Sequence, residues 1–263
     1  MSCLPYVSVT GEGPPIVFVH GSYATTSTWK KMVEQLKTQH RCLAIKLPGH
    51  GDAPVAIDVQ PPSIETELGI IEGVVREMVG SDQPIHLVGH SYGGVVALAQ
   101  ALKGSLPIAE LTLFEPVATW VLKVTQDDLM QAEVDRFLAR YRNAAANGER
   151  YACGQVIDFW GGGSEFEKLP GFIQDAMAPM TTENLRHWDI CTEPQHSADD
   201  LRGMNVPTRV VCGRRSNAVA HAIADHLVET LPTARKFEVD DASHAMVTSH
   251  AQASLDILLT PVV

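Results

Sequence analysis

Apolar and polar positions along the chain fall into blocks of two kinds. Residues 15–19 (Pro-Ile-Val-Phe-Val) form a short, nearly unbroken apolar run, the pattern of a parallel strand covered on both faces. Strand-like runs return at 41–47, at 84–90, at 108–114, at 207–213 and at 234–239. Between them the period changes. Residues 26–36 place Trp29, Met32, Val33 and Leu36 on one helical face, and residues 64–78 place Leu68, Ile71, Val74, Val75 and Met78 at spacings of three and four. Small and aliphatic residues after Ser91 continue as a helix to about Leu102, and 218–231 and 251–259 also read as helices. Residues 4–10 alternate in part and stop at Gly11-Glu12-Gly13, as an edge strand and turn would. Strands separated by helices imply an α/β fold, a mostly parallel doubly wound sheet with right-handed crossovers and helices on both faces.

This rhythm stops between residues 117 and 204. Charged helical stretches such as 127–142 alternate there with aromatic and glycine clusters, including Phe159-Trp160-Gly161-Gly162-Gly163. The expected organisation is a core of residues 1–116 and 205–263 with a helical cap, 117–204, inserted after the sixth strand of the fold. In open parallel sheets ligands bind at the carboxyl ends of the strands. His20, Ser91, Glu115 and His244 each fall just after an expected strand, so four polar groups far apart in sequence converge on one edge.

Within this frame Gly89-His90-Ser91-Tyr92-Gly93 joins a buried strand to a helix. Gly-x-Ser-x-Gly in that setting puts the serine on a sharp, strained turn as a nucleophile. Gly89 and Gly93 leave room where strand and helix pass closely, and the first N–H groups of the helix face developing negative charge. The plainer alternative is a glycine-rich turn that happens to hold a serine; the strand before it and the helix after it weigh against that.

Composition narrows the setting. A chain of 263 residues suits one large α/β domain with an insertion, or two small domains, and 45% hydrophobic residues suit a globular protein. Twenty basic against 31 acidic residues give a net charge of −11, which disfavours nucleic acid and anionic membrane surfaces as partners. Cys3, Cys42, Cys153, Cys191 and Cys212 are odd in number, scattered and free of Cys-x-x-Cys pairing, which fits a reducing compartment and argues against structural zinc. The first six residues lack a basic segment and an apolar segment, and no later stretch reaches transmembrane length. The expectation is a cytoplasmic protein, monomer or homodimer, with a small-molecule substrate. No metal and no cofactor is implied.

Four segments together resemble the α/β-hydrolase superfamily, in its serine-nucleophile branch with a helical cap: Val19-His20-Gly21, Leu47-Pro48-Gly49-His50-Gly51, Gly89-His90-Ser91-Tyr92-Gly93-Gly94 and Ser243-His244-Ala245-Met246. The resemblance covers nearly the whole chain. It implies Ser91 as nucleophile and His244, in a small-residue loop after the last strand, as its base. His20 and His50 match positions of structural hydrogen bonding, His221, His226 and His250 sit in or near helices, and His90 should point away from the serine. Many members carry an aspartate after the penultimate strand, but here that stretch reads Gly213-Arg214-Arg215-Ser216-Asn217. The family's alternative location implies Glu115 as the acid, since Asp240 and Asp241 lie too close to His244 along the chain. The oxyanion donors implied are the backbone N–H groups of Ser22 and Tyr92.

Tyr23, Trp120, Trp160 and Trp188, with Phe159, are candidates to line a substrate pocket, against the plainer reading that cap aromatics form the cap's own core. Gly161-Gly162-Gly163 is a candidate point of movement. The function expected is a carboxylesterase acting on a small to medium apolar ester through an acyl-enzyme. Rival readings are a carbon–carbon bond hydrolase or lyase with the same triad, and a small-molecule receptor with little turnover.

Overall fold

The computed structural model describes residues 4–56, 61–194 and 196–262; Cys3 and the first residues of the chain lie outside them. The apolar runs become strands of one seven-stranded sheet: β1 (Val7–Thr10), β2 (Pro15–Val19), β3 (Arg41–Ile45), β4 (Ile85–His90), β5 (Ile108–Phe114), β6 (Thr208–Gly213) and β7 (Ala234–Val239), in the order β1-β3-β2-β4-β5-β6-β7. Only β1 runs antiparallel, pairing Val7 with Ile45 at the edge; β2 through β7 are parallel. β2 and β6 are buried at every position, and β4 and β5 are buried over their carboxyl-terminal halves. Residues covered on both faces have no reason to alternate, hence the continuous apolar runs.

Helices α1 (Lys30–Leu36), α2 (Glu65–Met78), α3 (Tyr92–Lys103), α10 (Ala218–Thr230) and α12 (Ala251–Leu259) are the crossovers and closing helix that the periodicity predicts, and a short α11 (Met246–Ser249) precedes the last. On one side of the sheet Trp29, Met32 and Leu36 pack with Phe18, Phe114, Leu255 and Leu258; on the other Leu68, Ile71 and Val75 pack with Leu87, Val95 and Leu98. Two boundaries differ from expectation. Residues 4–6 form a 3₁₀ turn before β1, consistent with Pro5 having no N–H to give to a strand ladder. Residues 26–29 are likewise 3₁₀, capped by the Thr25 hydroxyl, before α1 begins.

Between β5 and β6 the chain runs through α4 (Trp120–Val124), α5 (Asp128–Ala146), α6 (Cys153–Gly161), α7 (Gly171–Met177), α8 (Thr181–Thr192) and α9 (Ala198–Gly203). The strand they follow is the fifth of the seven among the described residues. The Phe159-Trp160-Gly161 cluster closes α6, and Gly162, at φ +82°, caps it with its N–H on the Asp158 carbonyl.

Candidate active site

Ser91 ends β4 and begins α3 at φ 58° and ψ −123°, a strained backbone for a residue with a Cβ. The turn is possible because its neighbours lack side chains. A Cβ on Gly89 would overlap the Gly93 carbonyl, and one on Gly93 would overlap the carbonyls of Val19 and His20. The Ser91 N–H donates to the Phe114 carbonyl at 3.0 Å, which ties the end of β4 to the end of β5, where Glu115 follows.

Glu115 is buried, with φ at 40°. His244 Nδ1–H donates to Glu115 Oε2 at 2.7 Å, joining groups 129 positions apart. The other carboxylate oxygen, Oε1, accepts from the Gly213 N–H at 2.7 Å and from the Ser216 hydroxyl, and Cys212 Sγ lies 3.5 Å away. Burial pushes the Glu115 carboxyl up, but the hydrogen bonds from His244, Ser216 and Gly213 outweigh it and hold the group below the usual carboxylate range. The stretch after β6, which carries no carboxylate of its own, thus supplies the donors that fix Glu115. Residue type alone gave no signal of this role for Ser216. Asp240 and Asp241 are exposed, Asp240 in an ion pair with Arg214.

The histidines divide by partner. His90 Nε2–H donates to the His244 carbonyl at 2.8 Å, so the residue beside Ser91 supports the His244 loop. His20 donates from Nδ1 to the Gly21 carbonyl at 2.8 Å and accepts the Leu47 N–H on Nε2 at 3.2 Å, and His50 donates to the Pro48 carbonyl. His86 and His90 stand four apart on a strand, where that spacing is about 13 Å, and they take separate partners. Among the described residues no group of three or more His, Cys, Asp or Glu side chains is placed to hold a metal ion.

Burial lowers His20, His86 and His90 from 6.5 to about 3. Above pH 6.5 these rings are neutral whether the chain is folded or not. Below it the unfolded chain takes up protons that the folded one refuses until about pH 3, so folding weakens as the pH falls. Each ring contributes about 1.4 kcal/mol per pH unit at full slope. Urea unfolding midpoints measured from pH 8 to 5 are expected to be level above pH 7 and to fall steeply below 6, less steeply in His86→Gln; a level profile throughout would refute neutral burial.

A cavity of about 940 Å³ opens over this edge of the sheet. Ser91, His244, Ser22, Tyr92, Tyr23, Trp160 and Trp188 all line it. Glu115 lies behind His244, and Trp120 is buried outside the lining, 6.1 Å from the His196 ring. The Trp160 ring is 5.4 Å from that of His244 and stacks at 6.0 Å on Trp188. The Gly21 backbone presses on Ser91: a Cβ there would lie 2.7 Å from Ser91 Cβ, which sets Ser22 beside the serine. The remaining wall is mostly apolar, from Val156, Ile157, Leu169, Ile173, Met177 and Met180.

Residues 16–256 match the alpha/beta hydrolase family. A pimeloyl-[acyl-carrier protein] methyl ester esterase of Methylococcus capsulatus is 27% identical over 96% of this chain and 96% of its own length. The protein of that name from Xylella fastidiosa is 31% identical, over 94% of each. Among solved structures, MenH from S. aureus superposes with a TM-score of 0.74 at 19% identity, over 97% of this chain and 96% of the other. The enol-lactonase of Burkholderia xenovorans LB400 gives 0.73 at 20%, over 97% and 96%. The structural likenesses establish the fold, and the family match spans nearly all of the sheet and the helices set into it: the chain belongs to the alpha/beta hydrolase family.

Proposed function

We propose that this chain is a carboxylesterase that cleaves a small to medium, largely apolar ester through an acyl-enzyme on Ser91. It is an enzyme of the alpha/beta hydrolase family that acts on esters. The finer reading rests on one observation: a buried carboxylate, Glu115, holds His244 at 2.7 Å by its Nδ1, while His244 and a strained Ser91 line the same cavity. In this reading the Ser91 oxygen attacks the ester carbonyl as its proton passes to His244 Nε2. The tetrahedral intermediate places its oxyanion against the N–H groups of Ser22 and Tyr92. Collapse breaks the bond to the alkoxy oxygen, which leaves as the alcohol with the proton from His244. Water, deprotonated by the same nitrogen, then attacks the acyl-enzyme and releases the acid, restoring Ser91. Glu115 stabilises the imidazolium at both stages without taking its proton. Residues 117–204 form the cap in this proposal, and the substrate is a small molecule held between cap and core.

Among the described residues no helix is long and apolar enough to cross a membrane. The relatives named for a methyl ester of a carrier-bound acid support ester over amide chemistry. The apolar wall supports an apolar acyl chain. Burying a methylene contributes about 0.8 kcal/mol, or roughly fourfold in affinity. Across p-nitrophenyl esters of increasing acyl length, kcat/KM is therefore expected to rise about two- to fourfold per methylene until the chain meets the wall. No turnover of any ester in the series would reject the proposed function.

A further inference from the structure

Both residues whose N–H groups are proposed to hold the oxyanion are gripped by one turn of α8. The ring of His187 is buried, with 1% exposure. Its Nδ1 shares a 2.7 Å hydrogen bond with the Ser22 hydroxyl across 165 positions of sequence. The same ring lies flat on the Tyr92 ring, centroids 3.7 Å apart and planes within 10°, and its other neighbour in the stack is His50 at 5.4 Å. The adjacent Arg186 forms a two-pronged ion pair with Glu67 of α2, at 2.6 and 3.2 Å, and Glu67 accepts the Tyr92 hydroxyl at 3.0 Å. Ser22 and Tyr92 are thus fixed by their side chains to the cap helix, and both line the cavity beside Ser91.

We infer that His187 is a positioning residue for the oxyanion hole: through the Ser22 hydroxyl and the Tyr92 ring it sets the two backbone donors, so that the seating of α8 and the assembly of the hole are one event. The inference rests on the acyl-enzyme reading proposed above. Its physical basis is that hydrogen-bond donors act on a developing oxyanion only when they are already placed, and displacements near 1 Å remove much of their effect. Burial holds the His187 ring well below its ordinary value and therefore neutral. It can accept the Ser22 proton or donate to the Ser22 oxygen, and either arrangement fixes the same oxygen.

The test compares wild type with His187→Ala, His187→Asn, Ser22→Ala and Ser91→Ala on one p-nitrophenyl ester, together with the affinity of an alkyl boronic acid that becomes tetrahedral on a reactive serine. His187→Ala is expected to lower kcat about 10- to 100-fold with KM changed less than about threefold, and to weaken the boronate by the same factor as kcat. His187→Asn retains a polar atom at the place of Nδ1 and should recover a large part of both. Ser22→Ala removes the partner without opening the cap, so His187→Ala in that background should lose less than in wild type. A change confined to KM, a loss of kcat that leaves the boronate affinity intact, or full additivity of the two substitutions would overturn the inference. If His187→Ala fails to fold, the Asn and Ser22 variants decide the matter by the same two readouts. Should Ser91→Ala keep its turnover, the acyl-enzyme reading falls and this inference with it. Should Ser91→Ala be inert while His187→Ala matches wild type, only this inference falls.

Discussion

Ser91→Ala is expected to lower kcat for ester hydrolysis by about 10⁴- to 10⁶-fold while the protein remains folded. The substitution removes only the hydroxyl oxygen. The Cβ remains, with the backbone at φ 58° and its N–H on Phe114, so the turn keeps its shape. Ser22, the hydroxyl beside Ser91, is engaged with His187. The backbone strain offers an independent check. Glycine adopts positive φ without penalty, so Ser91→Gly should be as inactive as the alanine variant and about 1 kcal/mol more stable than it. Stopped-flow measurement of p-nitrophenol release, with urea unfolding of both variants, reads the two effects separately. Turnover by Ser91→Ala within tenfold of wild type would dismiss the serine as nucleophile.

Glu115→Gln is expected to lower kcat about 10³- to 10⁴-fold with little loss of stability. The reason lies in how the two carboxylate oxygens are used. Oε1 accepts from Gly213 N–H and Ser216, and the glutamine carbonyl keeps both of those bonds. The amide NH₂ then stands where Oε2 accepted from His244 Nδ1–H. Two donors cannot share that contact, so the imidazole is driven to its other tautomer, with its proton on Nε2 and no base facing Ser91. The charge that stabilises the imidazolium is lost as well. Measured kcat close to wild type in a folded Glu115→Gln protein would remove Glu115 from the mechanism. A loss of folding instead of a loss of turnover would mark the residue as a structural anchor of the strand end.

Much of this arrangement is legible in the order of residues. The runs at 15–19, 85–90 and 108–114 specify buried strands because both faces of a central strand meet helices. The glycines around Ser91 announce the turn because only a missing side chain lets α3 pass the β2 carbonyls. Residues 213–217 hold no carboxylate, which leaves Glu115 at the end of β5 as the acid the sequence offers, and Glu115 Oε2 accepts the His244 Nδ1–H. Less could be read in residues 117–204. Arg186 and His187 in the middle of α8 have the pattern of a solvated helical face, yet both are largely buried against the core. Trp120 reads as well as Trp160 for a place in the cavity, but only Trp160 lines it.

By itself the sequence determined the α/β layering, the sharp turn at Ser91, and the set of polar groups carried to one edge of the sheet, because each follows from the period of burial or from a local steric demand. Only the tertiary structure decided how those groups are held: Glu115 by Gly213 and Ser216 about a hundred positions away, and Ser22 and Tyr92 by a single histidine of α8. Such partners are chosen by how helices and loops seat on the sheet, and seating depends on the shapes of whole buried faces rather than on any short pattern along the chain.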